Sequence, residues 1–337
     1  MCIRRRRRLR DAGVRALSAL GVLLLGGCTS DGRTPLLVRT SLPDALLEQV
    51  ESSFEAEHPH VDVRFLRGDD SEAAAELEAR SEDVPFDVWW GASGVLLERA
   101  AGQGLLRSAA ASRVWRPLLV TPFVIAFNRT EVTLASAPED WIDVFHFRWR
   151  GELVAVDPAR MDVGAWFVGA IVGRAVRAEE DATVGMDWLR RFDEQVARYV
   201  PDQRAALREV GVGNAKLTVV SRAAADAEIA AGAEWLGYRL PRGGTPLLVR
   251  GIGVVEGARQ AHAAALFFDW VSSPEEVAVA AITTGWEAAD ELRVSEDGSV
   301  LIGADGWRGW PLGLDVVVQG MDAWLAEWRE DVRGRGK

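Results

Sequence analysis

The sequence predicts an α/β protein made of two doubly wound lobes that are joined by two long strands. Between residues 36 and 104, three apolar strand patterns alternate with three helical patterns, an order typical of a doubly wound parallel sheet. The apolar stretches 120–128 and 245–255 are long enough to pass from one lobe to another. We therefore place lobe 1 at residues 36–120 plus 248–335 and lobe 2 at residues 121–247.

Residues 86–93, FDVWWGAS, form the clearest junction between a strand and a helix. The apolar run stops at Gly-Ala-Ser, and a helical pattern over 94–101 follows at once. In open α/β sheets, ligands bind at such loops, beyond the carboxyl ends of the strands. Since neighbouring side chains of a strand point to opposite faces, Trp89 and Trp90 diverge. We expect Trp90 to be the exposed one.

The other elements of lobe 1 follow from hydrophobic periodicity. A helix over 43–57 has Pro at its first turn and apolar residues on one face. Helices over 258–272 and 274–281 follow the second long strand, and the pattern over 321–332 predicts a last amphipathic helix. The remaining elements predicted for this lobe are the strands 36–38 and 61–65 and the helix 71–82.

Lobe 2 is predicted to have the same alternation of strands and helices. Its helix 163–176 is almost wholly apolar, which indicates a buried position. The pattern over 185–200 is amphipathic and predicts one long helix. The remaining elements predicted for this lobe are the helices 141–147, 205–215 and 223–231 and the strands 152–156, 217–220 and 235–240.

The first 27 residues have the features of a secretion signal. Six of the first ten residues are Arg, and the apolar run 16–25 is shorter than the about 20 residues that span a bilayer. The run ends in LGGC at Cys28, which resembles the lipobox of bacterial lipoproteins. The resemblance implies that 1–27 is a cleaved signal peptide, that Cys28 is lipidated, and that 28–35 is a lipidated tether. It places the protein in the periplasm or at the cell surface, anchored to the membrane; an ordinary secretion signal with a chance cysteine is the alternative.

Charge and cysteine content argue against several classes of protein. The formal net charge is −11, and loss of 1–27, with seven Arg and one Asp, takes it to −17. A chain this acidic is a poor partner for nucleic acid. Cys2 and Cys28 are the two cysteines, so the mature chain has no disulfide and no Cys nucleophile. The four histidines show no metal-ligand spacing, and no Gly-x-Ser-x-Gly, Walker or dinucleotide motif is present. We expect no enzyme, no cofactor and no metal.

Four short loops, each between a buried strand and a helix, carry the candidate site. They are residues 39–41, 90–93, 157–165 and 221–222, and they offer hydroxyl and backbone N–H groups at helix starts. Any one loop alone can be a plain helix cap, whereas four loops in two lobes predict a shared cleft. Arg222 suits a carboxylate or phosphate if it faces that cleft; a surface position is the alternative. The candidate ligand-binding residues are Thr40, Ser41, Trp90, Gly91, Ala92, Ser93, Gly164, Ala165, Trp166, Ser221 and Arg222.

A series of short motifs keeps the order and spacing of one known family. They are LVRTSLPDALL (37–47), PFDVWWGA (85–92), FN (127–128), W (141), WRGE (149–152), DP (157–158), GTP (244–246), GIGVV (251–255) and AALFFDWVSSP (264–274). With them, the chain resembles the periplasmic solute-binding proteins of ABC importers, in the two-lobed family that includes ferric-iron, polyamine, thiamine and phosphonate binders.

That resemblance implies a periplasmic-binding-protein-like type II fold. It also implies capture of a small-molecule ligand by hinge closure and delivery of that ligand to an ABC permease and its ATPase. We expect a monomer. A ligand sensor or interaction protein that kept the fold without transport is the alternative reading.

The chain departs from the ferric-iron binders of that family. Those proteins commonly carry a tyrosine pair in the loop that here reads VSR (220–222), with His or Glu ligands in the first lobe. Here that loop has no Tyr, and neither Thr40 nor Ser41 is a His. Since ferric iron needs hard anionic oxygen donors, a ferric binder would need an unusual site. Hydroxyls, amides, indoles and Arg222 instead suit an organic anion, a phosphoryl compound or a sugar.

Overall fold

The computed structural model describes residues 32–79, 85–107, 114–159, 163–294, 299–302, 307–311 and 313–334. The expected signal peptide 1–27 and the expected lipidation site Cys28 lie outside these residues. Within them, no helix is both long enough and apolar enough to cross a membrane.

The strands of the described residues range from 2 to 14 residues in length. In chain order they are β1 (Thr34–Thr40), β2 (Val61–Arg67), β3 (Val88–Ser93), β4 (Leu106–Arg107), β5 (Trp115–Asn128), β6 (Leu153–Val156), β7 (Val196–Val200), β8 (Leu217–Ser221), β9 (Leu236–Arg239), β10 (Leu247–Val255), β11 (Glu287–Ala288), β12 (Arg293–Val294), β13 (Val300–Ile302) and β14 (Trp307–Gly309).

The α-helices of the described residues alternate with the longer strands. In chain order they are α1 (Asp44–Glu57), α2 (Asp70–Glu78), α3 (Gly94–Gly102), α4 (Val163–Glu179), α5 (Ala182–Asp193), α6 (Gln203–Gly211), α7 (Arg222–Ala230), α8 (Ala261–Val271), α9 (Pro274–Thr284) and α10 (Leu314–Glu327).

One mixed sheet runs through both lobes in the order β2-β1-β3-β10-β5-β8-β6-β7. At one end β1 pairs in parallel with β2 and β3, and at the other end β6 pairs in parallel with β7 and β8. Between these ends, β10 and β5 pair antiparallel with their neighbours. The expected fold class is confirmed: two doubly wound α/β lobes are joined by two crossing strands.

The strand β5 is the element shared by the two lobes. Its first part pairs with β10 and its second part pairs with β8. The change of partner falls between neighbouring residues, because Pro122 lies opposite Leu247 while Phe123 lies opposite Ser221. The lobe boundaries drawn from the sequence, 36–120 plus 248–335 and 121–247, stay a prediction.

Helices cover both faces of the sheet in each lobe. The helices α1, α8 and α9 pack on one face of lobe 1 and α3 on the other. In lobe 2, α4, α5 and α10 pack on one face and α6 and α7 on the other. Strands buried on two faces are apolar at almost every position, which is the pattern seen in β3, β5 and β8.

This two-sided burial corrects the expectation for Trp90. Both indoles of β3 are buried, Trp89 on the side of α3 and Trp90 on the side of α8. The ring of Trp90 packs edge-on against Phe267, with centroids 5.6 Å apart, and lies beside Phe65. The prediction that Trp90 is exposed is therefore wrong, because helices cover each face that the strand presents.

Two predicted helices of lobe 2 take other forms. The pattern over 185–200 predicts one helix, but α5 ends at Asp193 and residues Val196–Val200 form β7. Pairing with β6 decides this segment, since tertiary contacts override local propensity. The predicted helix 141–147 is two short 3₁₀ turns, Trp141–Phe145 and Phe147–Trp149.

The last helix starts earlier than its pattern predicts and packs away from the lobe to which the sequence assigns it. The sequence predicts a helix over 321–332 within lobe 1, whereas α10 begins at Leu314. Its buried side chains Val317, Met321 and Trp324 join the core formed with α4 and α5. An ion pair of 2.7 Å between Arg99 of α3 and Asp322 ties the same helix to lobe 1.

Candidate functional site

A cavity with a volume of about 140 Å³, open to solvent, lies where the two lobes face each other. Lobe 1 contributes the loop after β1 and the starts of α2 and α3, and lobe 2 contributes the starts of α4 and α6. The strand β10 and the segment after α9 complete the wall. The polar and aromatic lining residues are Ser41, Asp69, Asp70, Ser93, Trp166, Gln203, Arg250 and Trp286.

Four helices begin at this cavity. Asp70, Val163 and Gln203 are the first residues of α2, α4 and α6, and Ser93 is the N-cap of α3. The free backbone N–H groups of a helix start favour hydrogen-bond acceptors and negative charge. In α2 and α6, the cap carboxylates of Asp69 and Asp202 already accept one such N–H group each.

Arg250 is the cation of the cavity wall. Its Nη1 donates to the hydroxyl of Ser41 at 2.7 Å and to the carbonyl oxygen of Gly91 at 2.5 Å. The guanidinium carbon lies 5.3 Å from the ring centroid of Trp286, within range of a cation–π interaction. Among the described residues, the hydrogen bonds of this guanidinium all come from Nη1. Its other N–H groups are thus left for a ligand.

A β-bulge sets the position of the Arg250 side chain. Along β3 and β10, Gly251 lies opposite Ala92 and Ile252 lies opposite Trp90, so Gly91 is the extra residue. Gly91 has φ +74°, the left-handed conformation that glycine adopts without strain. The pairing of β10 with β5 shifts at Gly251 as well. These irregularities turn the carbonyl of Gly91 towards the guanidinium.

Asp70 faces Arg250 across the lobe 1 wall. Its carboxylate accepts the backbone N–H of Ser93 at 3.2 Å and the hydroxyl of Ser41 at 3.4 Å. One carboxylate oxygen lies 3.7 Å from Nη1 of Arg250. Burial raises the pKa of the Asp70 carboxyl, while the charge of Arg250 and the Ser93 amide oppose that rise. The neighbouring Asp69 caps α2 by accepting the backbone N–H of Ser71.

Two indoles give the cavity its aromatic surfaces, beside the aliphatic Val163, Leu248 and Val249. Trp166 lies in the first turn of α4, where its Nε1 donates to the carbonyl oxygen of Leu247 at 2.7 Å. That hydrogen bond fixes the ring of a lobe 2 residue to the crossing strand. Trp286 follows the left-handed Gly285 that ends α9, and it lies under Arg250. Flat apolar surfaces next to polar groups suit the carbon faces of a hydroxylated ligand.

The structure brings three of the sequence-predicted residues, Ser41, Ser93 and Trp166, to the cavity wall. Thr40 lies behind the wall, where its buried hydroxyl accepts the backbone N–H of Leu42. The other predicted residues of β3 also lie behind the wall. Gly91 presents its carbonyl to Arg250, and Ala92 is buried.

Gly164 and Ala165 of α4, and Ser221 before α7, do not line the cavity. Gly164 packs against the carbonyl oxygens of Val156 and Asp157, and Ala165 is buried. Ser221 caps α7 by accepting the backbone N–H of Ala224, and its own N–H donates to Gln203 at 2.6 Å.

Arg222 also does not line the cavity, because acidic side chains hold its guanidinium elsewhere. It forms an ion pair with Glu287 of β11 and lies 3.5 Å from Asp226, one turn along α7. The sequence left two alternatives for Arg222, a place in the cleft and a surface position. The structure matches neither, because the side chain is half-buried in an ion pair with Glu287 away from the cavity wall.

Sequence reasoning missed Asp69, Asp70, Gln203 and Arg250. Asp70 follows a predicted strand and opens a helix, the same signal that picked out Ser41 and Ser93. Gln203 follows β7, a segment that the sequence predicts as the end of a helix, so this signal does not mark it. Arg250 lies inside a strand, and its place depends on the bulge at Gly91. For Trp286, as for Trp307 and Trp310, the sequence leaves the cleft and simple packing as alternatives.

Metal ligands do not cluster in the described part of the chain. No group of three or more His, Cys, Asp or Glu side chains there has the arrangement of a metal site. The cavity wall contributes only the carboxylates of Asp69 and Asp70. The observation does not favour the alternative of an unusual ferric-iron site.

A family model described as bacterial extracellular solute-binding protein matches residues 37–285. The match covers well over half of the chain and includes every wall residue except Trp286. The chain belongs to this family. A solute-binding protein captures its ligand and does not transform it, so this chain is a binding protein and not an enzyme.

A curated relative of this solute-binding protein is a probable ABC transporter periplasmic-binding protein of Sinorhizobium fredii. It is 23% identical over 296 residues, which cover 83% of this chain and 75% of the relative. The family and this relative support a solute-binding protein of the ABC transporter type, located in the periplasm or outside the cell. Such proteins bind a small ligand and work with a membrane permease.

Solved structures with the same fold come from proteins with different ligands. Iron-bound HitA of Pseudomonas aeruginosa has a TM-score of 0.72 and 16% identity, covering 87% of this chain and 99% of HitA. AfuA of Actinobacillus pleuropneumoniae, with fructose-6-phosphate bound, has a TM-score of 0.71 and 18% identity, covering 90% of this chain and 100% of AfuA. Identities this low show a shared fold only. The ligand of this chain has to be inferred from its own cavity.

Proposed function

We propose that this solute-binding protein captures a small hydroxylated organic solute, a sugar or a sugar derivative, for an ABC importer. The solute binds in the cavity between the lobes and is held by hinge closure, and the closed complex delivers it to the permease. The observation that carries the proposal is the wall itself, where the polar pair Arg250–Asp70 faces the indoles Trp166 and Trp286.

The wall combines the three features that a hydroxylated ligand needs. Carboxylates of Asp69 and Asp70 accept hydrogen bonds from hydroxyl groups, and Arg250 and Gln203 donate to oxygen atoms. The indole faces pack against C–H surfaces. Of the expected classes, organic anion, phosphoryl compound and sugar, this mixture of donors and acceptors favours the sugars. The fructose-6-phosphate bound by the Actinobacillus protein belongs to the same broad class.

The proposed site consists of residues at two depths. Ser41, Ser93 and Trp166 contact the ligand together with Asp70, Arg250 and Trp286. The other residues predicted from the sequence, Thr40, Trp90, Gly91, Ala92, Gly164, Ala165 and Ser221, support that wall from behind. Arg222 acts outside the site through its ion pair with Glu287.

We further propose that the protein is a monomeric lipoprotein. The signal-like segment 1–27 and the Gly-Gly-Cys ending at Cys28 support cleavage and lipidation there. Several acyl chains on Cys28, at roughly 0.8 kcal/mol for each buried CH₂, hold the acidic domain at the membrane. Mass spectrometry of the membrane fraction should show a lipid-modified N-terminal Cys28, and Cys28→Ser should release the protein into the soluble fraction.

Isothermal titration calorimetry against a panel of ligands tests the proposed ligand class. The panel contains neutral sugars, sugar acids, sugar phosphates, polyamines and ferric iron. We expect a sugar or sugar derivative to bind, and Trp286→Ala to weaken that binding by about 10-fold, or 1.4 kcal/mol. Phe147→Ala is the matched control, because this aromatic side chain is 82% exposed and lies away from the cavity. Binding of ferric iron or a polyamine alone would overturn the proposal.

A further inference from the structure

The Asp70 carboxylate occupies hydrogen-bond donors that an anionic ligand would need. It accepts hydrogen bonds from the backbone N–H of Ser93, the N-cap of α3, and from the hydroxyl of Ser41. One of its oxygen atoms lies 3.7 Å from Nη1 of Arg250. A helix start, a hydroxyl and a guanidinium together form an arrangement suited to an oxyanion. In this protein, a side chain of the chain itself supplies the negative charge.

The net charge of the wall disfavours binding of a further anion. The side chain of Asp70 is 14% exposed, so its charge is held close to the cavity and poorly screened. Arg250 is the one cation among the described wall residues, and Asp70 neutralises it. Asp69 adds a second carboxylate at the same rim. Above the raised pKa of the Asp70 carboxyl, both carboxylates are ionised and the described wall has a net charge of about −1.

The same carboxylate offers acceptor sites to a hydroxyl group. An ionised carboxylate has about four lone-pair sites, and the described hydrogen bonds to Ser93 and Ser41 use two of them. A ligand hydroxyl that donates to Asp70 and accepts from a free N–H of Arg250 satisfies both partners. A phosphate dianion has no proton to donate and meets a like charge instead.

We propose that Asp70 is a specificity-determining residue that selects an uncharged hydroxylated ligand over the corresponding phosphorylated one. The inference rests on the proposed function and narrows its substrate class to neutral sugars and polyols. It assigns to Asp70 two effects: acceptance of a ligand hydroxyl and repulsion of a phosphoryl group.

Matched ligand pairs test the inference. Calorimetry measures the affinity of the wild-type protein for fructose and fructose-6-phosphate, glucose and glucose-6-phosphate, ribose and ribose-5-phosphate, and glycerol and glycerol-3-phosphate. We expect a neutral member to bind at least about 10-fold more tightly than its phosphate, a difference of 1.4 kcal/mol. In Asp70→Asn the ratio should fall by about 10-fold or more. Asp44→Asn, which removes an exposed carboxylate on α1, should leave the ratio unchanged.

Inorganic sulfate gives a second measurement that does not depend on the sugar. Asp70→Ser removes the charge and opens the donors of Ser93, Ser41 and Arg250. Sulfate should therefore bind this variant at least about 10-fold more tightly than it binds the wild type. Thermal unfolding first establishes that each variant is folded, and the serine variant serves if the asparagine variant is not.

The outcomes separate the inference from the proposed function. If no sugar or polyol of any pair binds, the proposed function fails and the inference fails with it. If a sugar phosphate binds the wild type more tightly than its neutral partner, the inference is overturned while the proposed function stands. Equal binding of sulfate to wild type and Asp70→Ser also overturns the inference.

Discussion

The guanidinium of Arg250 is held by the carbonyl oxygen of Gly91, which lies 2.5 Å from Nη1 on the neighbouring strand. This contact exists because Gly91 is the extra residue of a β-bulge and has a left-handed backbone. The cation of the cavity therefore depends on a backbone feature of β3 and not only on its own strand. Substitution of Arg250 therefore tests ligand binding, and substitution of Gly91 tests stability.

Replacement of Arg250 should weaken ligand binding more than replacement of any other arginine near the cleft. In Arg250→Gln, the sugar-class ligand loses hydrogen bonds to a charged group, which are worth about 1.5–3 kcal/mol, or roughly 10- to 150-fold in affinity. Arg222→Gln is the matched control, because that guanidinium pairs with Glu287 outside the wall, and its affinity should stay within about 3-fold of wild type. Calorimetry measures both. A larger loss of affinity in Arg222→Gln than in Arg250→Gln would indicate that the anionic or polar end of the ligand lies at α7.

Substitution of Gly91 by alanine should destabilise the fold. The new Cβ would lie 2.4 Å from Cγ of the buried Leu42, at a φ of +74°. A non-glycine residue in this conformation costs about 1–3 kcal/mol, and overpacking adds to that cost. Urea unfolding of Gly91→Ala should show the loss. Gly104→Ala is the control for backbone strain alone, because Gly104 has φ +69° and open space around it. Equal losses of unfolding free energy in the two variants would show that Leu42 shifts without a free-energy penalty.

The sequence predicts the fold and part of the site for one reason. Strand-to-helix loops can be read from periodicity, and such loops lie at the carboxyl ends of parallel strands. Ser41, Ser93 and Trp166 come from reasoning of this kind, and the structure places all three at the cavity wall. Asp70 was open to the same argument, since it begins the helix after β2.

The remaining wall residues depend on relationships between distant segments. Arg250 faces the cavity through a bulge that involves Gly91, 159 positions earlier. Trp286 takes its place under Arg250 only because α9 ends at a left-handed glycine. Trp90 has the alternation of an exposed residue, but α8 covers its face of the sheet. Periodicity reports which side chains diverge and not which helix later covers them.

The C-terminal segment should contribute strongly to the stability of lobe 2. Trp328 is 2% exposed and packs edge-on against Tyr199, with ring centroids 5.2 Å apart. Truncation of such a side chain to alanine costs about 3–5 kcal/mol, because it leaves a cavity in the core. Urea unfolding of Trp328→Ala should show this loss, while Phe147→Ala, at an exposed position, should stay within about 0.5 kcal/mol of wild type. A small loss in Trp328→Ala would mean that this segment is an appendage to the lobe.

The stability contributed by Asp70 should fall as pH rises. Burial raises the pKa of its carboxyl above the ordinary value, so the folded protein binds this proton more tightly than the unfolded chain does. The contribution is fully present below the unfolded pKa of about 3.9 and is lost as pH rises through the folded pKa. The charged groups that face Asp70 are Arg250, which opposes the shift, and Asp69, which adds to it.

Asp70→Asn removes this dependence and isolates it. The free energy of unfolding of the variant minus that of the wild type should therefore increase between about pH 4 and about pH 7. Urea unfolding of both proteins over that range measures the difference, and Asp44→Asn, an exposed carboxylate, provides the baseline. A difference that moves in the opposite direction would mean that the pairing of Asp70 with Arg250 outweighs burial. The carboxylate would then be a stabilising partner of the cation, and its charge would be more firmly fixed at the cavity wall.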